Sequence, residues 1–263
     1  MSATAEKIRK EMVRAIVDFG LIEPGDKLLV AVSGGKDSAV MTLMLEQIRK
    51  RAPFSFDFQA VLLDQKQPGF DVASFRDWLK TRHKIELTVI EEDTFSIVKD
   101  KTAPGKSFCG LCSRLRRGIL YTYARNNGFS KIALGHHRED INETVLMNMF
   151  YGGKIATMSP KLVSIDKRNI VIRPMVYVPE DWIKSLAAKL EIPVIPCNLC
   201  GNQEGLARAR IKNLIRELAV GYDQVGTSLA SALGNVVTDS LLDRRHLSND
   251  SVCSVDVLDF DSH

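Results

Sequence analysis

The sequence contains no run of about 18 consecutive apolar residues, the length a membrane-crossing helix needs, although 45% of its 263 residues are hydrophobic. A spanning helix is thereby excluded, and the same apolar content suffices for the core of one large domain or two small ones. Residues 1–10 lack the apolar centre of a secretory signal, so the expected protein is soluble and cytoplasmic. In that reducing setting five cysteines do not make a disulfide framework, and their spacing must reflect metal binding, catalysis or burial. Internal repeats and low-complexity tracts are absent, and so are the two common nucleotide signatures, G-x-x-x-x-G-K-[ST] and a G-x-G-x-x-G opening a helix. Acids are scarce over residues 99–125, where Lys99, Lys101, Lys106, Arg114, Arg116, Arg117 and Arg125 face Asp100 alone. A formal net charge of +4 is a weak pointer to nucleic acid, whereas this local excess is a stronger one.

What the chain does have is a stretch around which the rest is organised. Leu28-Leu29-Val30-Ala31-Val32 is an unbroken apolar run, Ser33-Gly34-Gly35-Lys36-Asp37-Ser38 a small polar turn, and residues 39–48 place Val40, Met41, Met44, Leu45 and Ile48 on one helical stripe. This predicts strand, loop and helix. A strand without polar alternation is covered on both faces, as in a parallel sheet between helix layers. The loop then sits at a helix N-terminus, where backbone N–H groups and the helix dipole favour an anion, and Gly34 and Gly35 let a phosphate approach the backbone.

Along the chain, residues 6–19 read as an amphipathic helix through Ile8, Met12, Ile16 and Phe19, stopped by Gly20 and the Pro24-Gly25 turn. Strands are expected at 58–63, 85–90, 131–134 and 170–173, helices at 72–82 and 113–127, and a basic loop at 99–108. A polar loop, Asp64 to Phe70, leaves the second strand where ligands bind such sheets. Gly135-His136-His137-Arg138-Glu139-Asp140 forms a second strand-to-helix corner; its adjacent histidines lack the i, i+4 spacing of a helical metal site. Pro179-Glu180-Asp181 opens another helix, and residues 204–218 form a basic one with Arg208, Arg210, Lys212 and Arg216.

Two C-x-x-C pairs, Cys109/Cys112 and Cys197/Cys200, each let two thiolates share one metal ion or cluster. A structural zinc, a dithiol and an iron-sulfur cluster all suit that spacing, with zinc favoured on spacing alone. Cys253 stands apart in an acid-rich tail expected to be weakly ordered.

The strand-SGGKDS-helix stretch resembles the PP-loop of the ATP pyrophosphatase superfamily, which splits ATP between its α and β phosphates and leaves an adenylated substrate. Further blocks sharpen the resemblance: Leu63 to Phe70, Cys109 to Gly118, Ala133-Leu134-Gly135-His136-His137, Asn148 to Lys154, and Ile195 to Gly201. In order along residues 21–237, they are similar to the tRNA 2-thiocytidine synthetases, the tRNA-cytidine(32) 2-sulfurtransferases. That resemblance implies an α/β nucleotide-hydrolase fold with helices on both faces of a parallel sheet, a homodimer, and a [4Fe-4S] cluster on three cysteines, which displaces the zinc preference.

The implied reaction replaces the C2 oxygen of an anticodon-loop cytidine by sulfur, the oxygen being adenylated by ATP and the sulfide delivered from the cluster's open iron after a cysteine desulfurase supplies it. Ser33, Gly34, Gly35, Lys36, Asp37 and Ser38 are then expected on the phosphates with Mg²⁺, and backbone near Leu63 and Gly135 around the adenine. Asp37, Lys36, Arg116 and Asp140 are the expected catalytic residues. The family often shows two aspartates where this chain has Glu139-Asp140, which places the metal or nucleotide role on Asp140. Cys109, Cys112 and, on the family pattern, Cys200 are the expected cluster ligands, and Arg114, Arg117 and Arg208 the tRNA contacts. The expected organisation is an N-terminal helix (1–24), a PP-loop domain with the iron-sulfur site (25–200), a helical segment (201–237) and a tail (238–263). A PP-loop uridine thiolase and a zinc-stabilised RNA-binding module are the two rival readings.

Overall fold

A computed structural model describes residues 2–102, 109–195 and 205–243. Among these, strands β1 (Lys27–Val32), β2 (Asp57–Asp64), β3 (Leu87–Glu91), β4 (Lys131–Ala133), β5 (Lys161–Val163) and β6 (Ile170–Ile172) form one sheet in the order β3-β2-β1-β4-β6-β5. Every pairing is parallel except that of β5 with β6. The helices are α1 (Ala3–Asp18), α2 (Lys36–Arg49), α3 (Val72–His83), α4 (Thr94–Lys101), α5 (Cys109–Asn126), α6 (Arg138–Gly152), α7 (Glu180–Lys189), α8 (Gly205–Leu218) and α9 (Val225–Ala232). The expected α/β class is therefore the one observed.

Because strand side chains alternate, each central strand feeds two cores. Leu28, Val30 and Val32 join Ala60 and Leu62 beneath α1, α2, α3 and α7, while Leu29, Val61 and Ile132 face Leu120 and Ala124 of α5 on the other side. Leu28, Leu29, Leu62 and Phe75 are fully buried, and each such side chain contributes about 1.5–3 kcal/mol. In α2 every residue from Ser38 to Leu45 is buried, wider than the stripe read from sequence, because the helix is flanked by α1 and α7 as well as by the sheet.

Other differences are local. Lys99 and Lys101 lie in α4 rather than in a loop, since Asp93 accepts from Ser96 N at 3.0 Å and Val98 is buried. The third strand starts at Leu87, because Ile85 N still bonds to Leu79 O at 3.2 Å and Lys84 takes a left-handed turn. α5 begins at Cys109, so the first cysteine pair lies within its opening turn instead of preceding it. The edge strand β5 and the helix α9 were not anticipated, and most of the expected disordered tail lies outside the described residues.

Candidate active site

From β1 the sheet grows through β2 and β3 on one side and through β4 and β6 on the other. Loops leaving the carboxyl ends of β1 and β4 therefore diverge and open a crevice, the place where such sheets bind ligands. The two corners singled out in the sequence, 33–38 and 135–140, both fall there. Gly34 adopts φ +78°, and a Cβ on it would come within 2.8 Å of Ile195 Cδ1 and 2.9 Å of Ile195 Cβ. Ile195 N in turn donates to Gly34 O at 3.0 Å, so the loop is tied to the chain that leads toward Cys197 and Cys200. Ser38 Oγ accepts from Ser33 N at 3.1 Å and closes the loop, while no side chain caps the α2 N-terminus at Gly35. Leu63 is buried one residue before the end of β2.

A cavity of about 380 Å³ opens beside the loop, lined by Lys36, Asp37, His137, Asp140, Glu143, Glu180, Arg208, Ala209 and Lys212. Lys36 Nζ lies 3.1 Å from Asp37 and 3.3 Å from Glu180. Burial disfavours its ammonium, but the two carboxylates outweigh burial and raise its pKa. Glu180 is buried, and burial alone would raise its pKa; Lys184 at 2.9 Å, Lys212 at 3.1 Å and Lys36 instead pull it down to about 2. Arg208 reaches Asp140 at 3.4 Å and Glu143 at 3.5 Å.

The adjacent histidines part company. His136 Nδ1 accepts from the buried Arg173 Nε at 3.1 Å, and burial together with that guanidinium pushes its pKa down to about 4. His136 is thus a neutral acceptor. His137 turns toward the cavity, with Nε2 3.8 Å from Asp37 Oδ1 and 3.6 Å from Asp140 Oδ2, and Nδ1 3.3 Å from Glu139. Burial opposes its charging, yet Glu139, Asp140 and Asp37 prevail and raise its pKa. Glu139 serves structure: its Oε2 accepts from Glu180 N at 2.7 Å at the start of α7, and despite burial His137 and Arg138 hold its pKa at about 2. Asp140 remains at the cavity wall, its Oδ2 accepting from His137 N at 3.0 Å. Asp37 Oδ1 is buried and makes no hydrogen bond, though it lies in ion-pair contact with Lys36 Nζ at 3.1 Å, and a carboxylate oxygen so placed at the cavity suits a cation that keeps most of its waters.

Cys112 lies in the first turn of α5, and its thiol donates to Gln65 Oε1 at 3.1 Å, where Thr94 Oγ1 also donates at 3.0 Å. A helix N-terminus favours thiolate, which suits the donor chemistry of an iron-sulfur site. Arg116 lies one helical turn beyond Cys112, and Arg114, Arg116 and Arg117 are exposed. Cys200, Cys197 and Cys253 lie outside the described residues.

The structure therefore gathers Lys36, Asp37 and Asp140 at one cavity with the 33–38 loop and Gly135. It seats Arg208 in that same cavity, against acids. Sequence reasoning missed Glu143, Glu180 and Lys212 as site residues; they come from α6, α7 and α8, and only folding brings them together.

A family profile described as the PP-loop domain matches residues 4–217. The chain is 51% identical over 240 residues to the tRNA-cytidine(32) 2-sulfurtransferase of Bdellovibrio bacteriovorus, covering 91% of this chain and 92% of that one. Identity to the protein of the same name from Coxiella burnetii is 45%, covering 90% and 94%. Among solved structures, the U34-tRNA thiolase NcsA from Methanococcus maripaludis with its [4Fe-4S] cluster superposes with a TM-score of 0.68, over 88% of this chain and 78% of that one. At 20% identity that likeness concerns the fold.

Proposed function

The chain belongs to the tRNA-cytidine(32) 2-sulfurtransferase family of PP-loop proteins, and on that basis we propose that this tRNA-thiolating transferase replaces the C2 oxygen of cytidine 32 in the anticodon loop by sulfur, spending ATP to activate that oxygen. The observation that carries the proposal is the crevice itself: a left-handed Gly34, an α2 N-terminus without a side-chain cap, and Lys36 and Asp37 beside a cavity at the sheet's switch point.

The backbone of Ser33, Gly34, Gly35 and Ser38 cradles the β and γ phosphates, Lys36 offsets their charge, and backbone near Leu63 and Gly135 frames the adenine. The cytidine C2 oxygen attacks the α-phosphorus and diphosphate leaves. Sulfur then adds at C2, and the former oxygen departs within AMP. Mg²⁺ held by Asp37 and Asp140 would supply positive charge to the phosphates. A [4Fe-4S] cluster held by Cys109, Cys112 and Cys200 would supply an open iron suited to binding sulfur. Arg116, on the cysteine-bearing face of α5, steadies the incoming sulfur or an RNA phosphate. Arg114 and Arg117 engage the anticodon backbone, from which one base can be splayed into the crevice without melting a long duplex.

A cysteine desulfurase is the proposed sulfur source, with a thiol reductant supplying the two electrons that turn its persulfide sulfur into the sulfide that adds at C2; the cytoplasm is the proposed compartment and a homodimer the working unit. Residues 25–200 form the PP-loop domain, with 1–24 as a supporting helix and 201–237 closing the cavity. The test is anaerobic incubation of the reconstituted protein with tRNA, Mg-ATP and a sulfur source, followed by mass spectrometry of the nucleosides. Formation of 2-thiocytidine with AMP in equal amount is expected. Formation of 2-thiouridine, or thiolation without AMP, would overturn the proposal.

A further inference from the structure

Two kinds of buried ion pair occur in this molecule. Lys131, 2% exposed, is clamped between Asp26 at 2.6 Å and Glu23 at 2.5 Å, far from the crevice mouth at the amino end of the sheet. Such a pair is structural, because breaking it would strand a buried charge. Arg208 and Lys212 differ. Their side chains are 42% and 34% exposed, and their contacts to Asp140, Glu143 and Glu180 are longer, 3.1–3.5 Å. They lie four residues apart on α8, so both heads project from one face into the same cavity.

Two of the three acids they touch, Glu180 and Asp140, have other partners. Glu180 keeps Lys184 at 2.9 Å, and Asp140 keeps the His137 N–H at 3.0 Å. Withdrawing Arg208 and Lys212 therefore leaves these two carboxylates hydrogen-bonded, which lowers the cost of the exchange. A polyphosphate entering beside the 33–38 loop brings more negative charge than Lys36 alone can offset, and Arg208 and Lys212 stand across the cavity from that loop's lysine.

We infer that Arg208 and Lys212 form a clamp for the diphosphate of the bound nucleotide, resting on Asp140, Glu143 and Glu180 when the cavity is empty and turning to phosphate oxygens when it fills. The inference rests on the assignment of this cavity to ATP. It takes Arg208 away from tRNA and gives α8 a part in holding and releasing the leaving group.

Titration calorimetry with Mg-diphosphate and, separately, with AMP tests it. Lys212→Met and Arg208→Gln should each weaken diphosphate binding about tenfold to a hundredfold, the equivalent of one charge-assisted hydrogen bond. AMP affinity should change by less than about fivefold. Lys212→Arg, which keeps the charge, should retain diphosphate binding and guards against a folding defect. Unchanged diphosphate affinity in Lys212→Met and Arg208→Gln would overturn the clamp while leaving the ATP site in place. Loss of tRNA affinity in Arg208→Gln with diphosphate binding intact would return that residue to RNA. Failure of the unmodified protein to bind either AMP or diphosphate would overturn the ATP assignment itself.

Discussion

Gly135 rests against the backbone of Ser38: a Cβ on Gly135 would lie 3.1 Å from Ser38 N and 3.2 Å from Ser38 Cα. The end of β4 is thus the seat of the first turn of α2, and absence of a side chain at Gly135 sets how deep that turn sits. Gly135→Ala should displace the α2 N-terminus by a few tenths of an ångström and lower kcat/KM for tRNA about 10- to 100-fold. Stability should fall by only about 1–3 kcal/mol, the usual cost of overpacking. Parallel measurement of AMP release and urea unfolding checks this, and a stability loss without a rate loss would contradict it.

Asp37 Oδ1 is buried, lies 3.1 Å from Lys36 Nζ and faces His137 across 3.8 Å. Asp37→Asn keeps the shape and removes the charge, so ATP turnover with tRNA should fall about 10²- to 10³-fold while the visible spectrum of the reconstituted protein stays the same. Gly34→Val should be equally inactive for a steric reason, since φ +78° and the 2.8 Å approach to Ile195 leave no room for a branched side chain. Near-normal turnover in either variant would move the active site elsewhere.

His136 gives the fold a pH dependence whose sign can be worked out. Its pKa falls from the ordinary 6.5 to about 4 in the folded chain through burial and Arg173. A depressed histidine contributes stability that is fully present above about pH 6.5 and is lost as pH falls through about 4. The loss should be at most about 3 kcal/mol. Glu139 and Glu180, held at about 2, lose their contribution lower still. His136→Gln keeps an acceptor for Arg173 without a titrating group, so its unfolding free energy between pH 6.5 and 4.5 should fall less steeply than that of the unaltered chain. Equal slopes would assign the dependence to another group.

The strand, turn and helix around residues 33–38 were legible because they are local: an apolar run ending in Ser-Gly-Gly and followed by a helical stripe. The right-hand wall of the cavity was not. Glu180 looks like an acid at a helix start, yet Glu139 meets the α7 backbone and Glu180 turns to three lysines. Lys212 reads as one charge on a solvated basic helix until α8 packs across α6. β5 is three residues long, too short to show a period, and α9 is built of small residues without a strong stripe. Convergence of α6, α7 and α8 is a tertiary fact with no local signature.

The proposed contacts of the exposed Arg114 and Arg117 with RNA phosphates predict a salt-dependent tRNA affinity. Each phosphate contact contributes about 0.7–0.9 to the slope of log affinity against log salt. Arg114→Gln with Arg117→Gln should therefore lower that slope by about 1.4–1.8 and weaken tRNA binding at low salt, with diphosphate binding unaffected. A slope unchanged in the double variant would mark these arginines as solvated surface.

Two C-x-x-C pairs offer four thiols, whereas a cluster that keeps one iron open requires three. Cys109 and Cys112 share the first turn of α5, where the helix N-terminus favours thiolate, and both should be ligands. The second pair follows Ile195 in the sequence, and Ile195 N donates to Gly34 O. Spacing does not choose between Cys197 and Cys200; the family pattern selects Cys200 and leaves Cys197 a neighbouring thiol able to carry a persulfide. Alanine at position 109, 112 or 200 should abolish iron and sulfide binding after anaerobic reconstitution, and Cys197→Ala should retain most of both. Retention in Cys200→Ala with loss in Cys197→Ala would exchange the two assignments. Equal loss in all four would mean a site closed by four cysteines, with no open iron, and sulfur would then have to reach C2 from a cysteine persulfide.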